Sequence, residues 1–365
     1  MHVALFVVAW VGHACIWTAV LNNLYGRRLS KKFLKPWRLF TGVVIAAFSV
    51  LLFFPPSLYL YACAAVGGAV FPLVTLWRLV RPTAAALVEE RTQTLDLWRE
   101  DGDKLIGEGK WAWCPRLPFN GVFRVDFTEL TLKLPNLPPE WDGLTLHLLS
   151  DLHFHGSPSR RFFELVIDEV QSRWPTPDLV CLAGDYVDTD THHEWIGPLL
   201  GRLTATGPKL AILGNHDQHH DPERVRRELG AAGYEVLGNG WREVTVRGVR
   251  CVAVGHEGPW FTPPPDLRDA PAEPFRLCLS HTPDNVYWGR KNGIGLMLCG
   301  HVHGGQVRIP VVGSIFVPSV YGRRFDCGVF EGGGMVAVVS RGVSGKEPLR
   351  FRCNPQVTRI TLRRV

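Results

Sequence analysis

Five short segments carry side chains able to hold cations or move protons: Asp151-Leu-His153, Gly184-Asp185-Tyr-Val-Asp188, Gly214-Asn215-His216-Asp217, His281, and Gly300-His301-Val-His303-Gly-Gly. Each follows an apolar run: LTLHLLS, DLVCLA, KLAIL, FRLCLS or GLMLC. An i, i+2 pair in extended backbone points to one face, so Asp151 and His153 share a direction, as do His301 and His303. A lone Asp or His after a strand is ordinarily a helix cap or a hydrogen-bonded structural residue. Five successive strand ends closing in Asp, Asn or His suggest more, because strand ends in an α/β sheet converge on one crevice. The set offers carboxylate, amide and imidazole groups and no thiolate, the donor chemistry of Mn(II), Fe or Zn in a hydrolytic two-metal site. Cys181 and Cys299 fall inside apolar runs and read as core.

The elements that must position these residues begin near Gly121. Strands are expected at 122–134, 144–149, 179–182, 210–213, 251–254, 276–279, 296–298 and 335–339, from short β-rich runs bounded by Gly, Pro and Asp. Between them, residues 160–174 place Phe163, Val166, Ile167 and Val170 on one helical face, and a helix is expected at 222–229 behind Pro222. This is an α/β pattern. Residues 82–120 read as a connector, helical from about Thr83 to Arg99, then Gly-rich. It ends in WAWCPRLPF, whose Trp111, Trp113 and Phe119 suit either a lipid interface or packing under the domain.

At 365 residues, 46% hydrophobic and 20% charged, the chain is too apolar for disorder and long enough for a large core. Its formal charge of +6 arises from 40 Lys and Arg against 34 Asp and Glu. Arg27, Arg28, Lys31, Lys32, Lys35 and Arg38 lie in one stretch without an acid, beside apolar sequence, which argues for membrane topology and against a nucleic-acid partner. Nine cysteines without a C-x-x-C pair exclude a disulfide scaffold and favour a reducing compartment.

Residues 3–21 read as a first membrane-spanning helix, lacking the basic start and small-residue cleavage site of a signal peptide. Residues 39–54 and 58–76, separated by Pro55-Pro56-Ser57, read as a membrane hairpin; the first arm is short enough to be re-entrant instead. The basic stretch and Arg78/Arg81 then share a side, which the positive-inside rule makes cytoplasmic. The expected organisation is a membrane anchor at 1–81 with about three helices, a connector at 82–120 and a cytoplasm-facing domain at 121–365.

The ordered series D-x-H, G-D-x-x-D, G-N-H-D, H and G-H-x-H resembles the calcineurin-like metallophosphoesterase superfamily over about residues 121–365. The tail GGQVRIPVVGSIFVPSVYGRRFDCGVF, VSRGVSG and PLRFRCNP looks like its membrane-associated bacterial phosphodiesterase branch, which is similar to chlamydial-type UDP-2,3-diacylglucosamine diphosphatases of lipid A synthesis. The resemblance implies a sandwich of two β-sheets flanked by helices and two divalent metal ions, Mn foremost. It implies that Asp151, His153 and His303 bind one ion, that Asn215, His281 and His301 bind the other, and that Asp185 bridges them. His216 would face the substrate, either protonating the leaving oxygen or stabilising the transition state, with Asp217 fixing its tautomer. Asp188 would hold the loop or a ligand histidine. His155 stands where the family usually has a small residue and is a candidate substrate contact. His192, His193, His219 and His220 read as surface or structural histidines.

The site alone implies phosphoester hydrolysis. A cytoplasmic site tethered by apolar helices favours an amphiphilic, lipid-linked phosphodiester or diphosphate in the inner leaflet of a bacterial cytoplasmic membrane, with UDP-2,3-diacylglucosamine the first candidate. Trp260 and Phe261, in the Pro-rich insert 258–274, are expected to touch bilayer or acyl chains, or else to pack on the domain. The alternatives are a broad phosphoesterase of soluble phosphodiesters and a catalytically idle membrane regulator.

Overall fold

The computed structural model describes residues 2–271 and 275–365, so the last three residues of the 258–274 insert lie outside the described residues. The chain divides into two compact units. One runs to Pro82 and takes in Arg308–Arg324; the other comprises Thr83–Val307 and Phe325–Val365.

The second unit is a sandwich of two sheets. The seven-stranded sheet runs, edge to edge, Leu87–Asp96, Arg124–Leu134, Gln356–Arg364, Thr145–Leu149, Leu179–Leu182, Lys209–Ala211 and Glu235–Val236. The six-stranded sheet runs Gly328–Gly332, Met335–Val339, Leu296–Cys299, Arg276–Ser280, Val249–His256 and Gly240–Val246. Thr145–Leu149, Leu179–Leu182, Lys209–Ala211 and Glu235–Val236 are mutually parallel, as are the four central strands of the other sheet. Their runs, LVCL and LMLC for example, are buried throughout, as strands covered on both faces must be. Leu146, Leu148, Cys181 and Leu210 of one sheet and Ala253, Leu277, Leu279, Leu298 and Val338 of the other fill the space between the sheets. Helix Arg160–Arg173 buries Phe162, Phe163, Val166, Ile167 and Val170 in a second core, each worth roughly 2 kcal/mol by area removed from water.

The helix expected over 83–99 is not formed. Leu87–Asp96 is an edge strand, antiparallel to Arg124–Leu134 from Glu89 opposite Thr131 to Asp96 opposite Arg124. Thr92 and Thr94 alternate toward Thr128 and Asp126, and Thr94 donates to the Asp126 carboxylate at 2.6 Å. An open sheet edge and β-branched residues outweigh the weak helical pattern.

The first unit holds three helical segments long and apolar enough to cross a membrane: Val3–Tyr25, Lys31–Phe53 and Leu58–Val80. The second is longer than its apolar run because Ser30 caps it, accepting from the Phe33 amide, so Lys31, Lys32, Lys35 and Arg38 lie in its first turns. The first and third helices meet at glycines: a Cβ on Gly12 would stand 1.9 Å from the Cys63 carbonyl oxygen, and one on Gly67 2.0 Å from that of Val8. His13, 3% exposed, joins all three helices through Tyr59 Oη at 2.7 Å and the Val44 carbonyl at 3.1 Å. The chain leaves the second unit after Val307, four residues past His303, and contributes Arg308–Arg324 to this one. There Asn22 bonds Ile315 O and Val317 N, and Asn23 bonds Val320 O.

Candidate metal centre

The five segments all follow parallel strands, from both sheets, and their side chains meet. Potential ligand atoms of Asp151, His153 and His303 lie within 4.8 Å of one another, as do those of Asp185, His281 and His301, and those of His153, Asp185 and His216. Asp185 Oδ2 stands between the groups, 3.6 Å from His153 Nε2 and 3.3 Å from His281 Nε2. Asn215 Oδ1 is 3.0 Å from His281 Nε2. Thus the residues expected to grip two cations occupy one buried place.

Whether this chemistry suits cations is decided by where the ring protons must sit. His153 Nδ1 donates to Asp188 Oδ2 at 3.1 Å, and His303 Nδ1 to the Ser344 carbonyl at 3.1 Å. Both therefore present Nε2 lone pairs, and those atoms face each other at 3.2 Å. His281 Nδ1 donates to the Ala183 carbonyl at 2.8 Å, which turns its Nε2 toward the oxygens of Asn215 and Asp185. Donor atoms this close require positive charge between them, a proton or a metal ion. Asp151 Oδ2 and Asp185 Oδ2, both buried, have no hydrogen-bond partner. The donor set fits divalent metal, and each ligand histidine is oriented by the partner of its other nitrogen.

Electrostatics gives the same picture with protons in place. Burial opposes charge on His153, but Asp188, Asp185 and Asp151 outweigh it and raise the group to about 9. His281 is likewise raised to about 9, against burial, by Asp185 and Asp151. Burial and the neighbouring His153 hold His303 well below its ordinary value. Asp185 is held well below the usual carboxylate range, against burial, by His281 and His216. Metal binding would displace the protons on His153 and His281.

The backbone carries strain here. Asp151, His153, Asp185, His301 and His303 all have positive φ, between 49° and 71°, a region costing roughly 1 to 3 kcal/mol for a residue other than glycine. The strain is tolerated because the surroundings over-determine it: Asp151 N donates to Gly184 O, His153 N to Asp185 O, and His301 N to Asp151 Oδ1 at 2.9 Å. Gly214 has no substitute, since a Cβ there would stand 2.1 Å from Asp185 Oδ1.

One expected role changes hands. Asp217 does not touch the His216 ring; its buried carboxylate accepts the amides of Gly214, Asp185, Tyr186 and Val187 at 2.8 to 3.2 Å, fixing two ligand loops against each other. Burial and nearby Asp185 raise it to about 7. Asp188 takes the orienting role, with Oδ1 on His216 Nδ1 and Oδ2 on His153 Nδ1. Sequence adjacency favoured Asp217, whereas the 3₁₀ turn Asp217–His219 carries residue 217 inward, away from the ring beside it. His155 contacts the Gly345 carbonyl at 3.5 Å and is mostly buried. His192, His193 and His220 knit a separate loop through Thr189 and Asp190.

Trp260, expected either at a bilayer or acyl chain or packed on the domain, stands against the metal-site histidines, a place its sequence context does not signal. Its ring is 6% exposed and lies 4.5 Å from His301 and 5.4 Å from His281, centroid to centroid, walling the site. Phe261 packs on the core with Arg226 over its face. Both pack on the domain, which is one of the two expected placements. No strand or helix periodicity marks Trp260, so its place was legible only in three dimensions.

A family model described as calcineurin-like phosphoesterase matches residues 144–305. The uncharacterized metallophosphoesterase YkuE of Bacillus subtilis (strain 168) is 30% identical over 248 residues, covering 66% of this chain and 86% of that one. Phosphodiesterase YaeI of Escherichia coli (strain K12) is 35% identical over 194 residues, covering 51% and 70%. A transmembrane protein with metallophosphoesterase domain from Danio rerio is 25% identical over 254 residues, covering 64% and 56%.

Proposed function

The chain belongs to the calcineurin-like metallophosphoesterases and is a hydrolase, and from that premise we propose that it cleaves a phosphodiester or diphosphate bond of a lipid-linked substrate. The observation that carries this reading is the presence, on one chain, of a two-cation donor set and three helices long enough to span a bilayer. UDP-2,3-diacylglucosamine is the first substrate to try, and Mn the first metal, with Fe or Zn as alternatives.

Asp151, His153 and His303 would hold one ion, Asn215, His281 and His301 the other, and Asp185 both. Such a pair, when bound, supplies a water-derived nucleophile at neutral pH and neutralises charge on phosphoryl oxygens. The protein's own contributions are positional. Asp188 aligns His153 and His216 together, so the ligand and the proton-bearing group keep a fixed relation; their rings are 4.6 Å apart, edge to face. His216, at the edge of the cluster, gives a proton to the leaving oxygen or stabilises the charge developing there. Where the leaving group is itself a phosphate, it departs without much help from an acid, and charge stabilisation is the larger part.

The basic stretch Arg27 to Arg38 and Arg78/Arg81 fall at the same end of the three-helix unit by chain parity, which supports a multi-pass bacterial cytoplasmic-membrane protein with its hydrolase unit in the cytoplasm. Exposed Trp113 and Phe119, at 55% and 85%, suit contact with the lipid interface. A fluorescent protein fused after Val365 will be bright in this orientation and dark in the reverse one. The soluble-phosphodiester reading has its support in the similarity to a phosphodiesterase.

The test uses the full chain in nanodiscs with Mn(II). Release of UMP from UDP-2,3-diacylglucosamine, at a rate well above turnover of a soluble aryl phosphodiester, is the expected result. Turnover of the soluble ester alone would transfer the function to the second reading.

A further inference from the structure

The segment after the last strand of the six-stranded sheet contains a cation that the reaction above does not use. Arg350 is 1% exposed. Its guanidinium donates to the carbonyls of His303 at 3.0 Å, Arg341 at 2.8 Å, Gly342 at 3.4 Å and, more closely, Ser344. These acceptors are backbone carbonyls, so no carboxylate among its bonds repays the loss of water around the charge. A planar fork with five donors can serve several carbonyls at once, which an ammonium cannot.

What those carbonyls belong to gives the arrangement its meaning. Ser344 O is also the acceptor of the His303 Nδ1 proton at 3.1 Å, so the 3.5 Å approach of Arg350 Nη2 to that nitrogen is a contact and not a hydrogen bond. The Ser344 amide donates to Asp151 O at 2.9 Å, and Val343 N to Ser150 O at 2.9 Å. Gly342, at φ +72°, packs so closely that a Cβ would stand 2.7 Å from Asp151 Cβ. Cys353 Sγ adds a contact to His303 O at 3.3 Å. The turn 340–345 therefore touches Asp151 and His303, two of the three residues assigned to one ion, and Arg350 ties that turn to the His303 backbone. Among the described residues, the hydrogen bonds of the Arg350 guanidinium go to His303 and to residues 341–344 and not to Asn215 or His281.

We propose that Arg350 is a positioning residue for the metal ion held by Asp151, His153 and His303: it fixes the 340–345 turn so that Ser344 O takes the Nδ1 proton of His303 and leaves Nε2 to the ion. The proposal rests on the two-metal reading. It also gives the RGVSG…PLRFRC tail a task that the five ligand segments leave unexplained.

The experiment is metal binding by the metal-stripped full chain in detergent, followed by equilibrium dialysis against Mn(II) with elemental analysis. Wild type should bind two ions. Arg350→Met should weaken one of them by about 10- to 100-fold, the usual cost of losing a group that orients a ligand, and leave the other unchanged. Added guanidinium ion should restore the weakened one, a response that general destabilisation does not produce. His281→Ala should lose the opposite ion, so that the double variant keeps one ion, bound with the affinity weakened as in Arg350→Met. Two ions bound with wild-type affinity in folded Arg350→Met would overturn the proposal. Should that variant not fold, Arg350→Lys carries the test: it keeps the charge without the fork, should weaken the same ion about 10-fold, and overturns the proposal if both ions stay tight. Fewer than two ions in wild type would defeat the two-metal reading instead.

Discussion

Two buried polar clusters, one around His13 in the helical unit and one around Asp151 and Asp185 in the hydrolase unit, serve different ends. In the helical unit, His13 is surrounded by Phe48, Trp17 and Tyr59, and both its ring nitrogens have partners on neighbouring helices. Its polarity is satisfied, and it holds helices together. In the hydrolase unit, buried Asp151 and Asp185 each keep one oxygen without a hydrogen bond, and imidazole nitrogens face one another across 3.2 Å. That polarity is concentrated and incomplete. A completed set of partners reads as structure and an incomplete one as a site for something yet to bind, although little of any of these side chains is exposed.

Substitutions can break this contrast, and the largest effect belongs to the bridging group. Asp185→Ala should reduce kcat by at least ~10⁴ in a full-chain assay, since it takes a ligand from both ions at once. A loss under tenfold would place the chemistry elsewhere. His216→Ala should lower kcat by ~10² to 10⁴ while elemental analysis still finds two ions; loss of metal would make His216 a ligand, as its closeness to His153 and Asp185 allows.

A stability effect comes next. His147, against Trp174, is lowered to about 4 by burial and by nearby Arg359. A histidine whose folded value lies below its unfolded 6.5 stabilises fully above pH 6.5 and loses that contribution as pH falls toward 4. The loss is about 3 kcal/mol over that window. His147→Phe should flatten the acid side of the unfolding profile by that amount relative to wild type, and an unchanged profile would mean the ring is already charged when folded.

The smallest effect is expected in the helical unit. Tyr59→Phe removes one partner of His13 and should cost about 0.6 to 1.7 kcal/mol, the range for interhelical hydrogen bonds in membranes. Metal content and turnover of a soluble ester should stay at wild-type values. A drop in metal content would show that the completed network is not merely structural.

The site was more legible in the sequence than the sheets that carry it. Asp151, His153, Asp185, Asn215, His281, His301 and His303 stand in short motifs whose residue types are informative one by one, and strand topology does the rest. The short buried strands Leu179–Leu182 and Met335–Val339 were equally plain, because continuous apolar runs have few alternatives. Gln356–Arg364 escaped although it lies inside the seven-stranded sheet: QVTRITLRR hides the inward Thr358, Ile360 and Leu362 among arginines and threonines. Leu87–Asp96 escaped because its Glu and Arg residues suit a helix and only the open edge beside Arg124–Leu134 makes it a strand. The orienting role of Asp188 was hidden for a similar reason: which carboxylate meets His216 depends on how two loops fold toward each other.

The most direct test is calorimetric titration of the metal-stripped full chain with Mn(II). Two equivalents should bind per chain, with hydrolysis appearing as the second is filled, and Asp185→Ala should fail to bind the pair. Saturation at one equivalent with full activity, or two tight equivalents in Asp185→Ala, would contradict a centre built around a shared carboxylate.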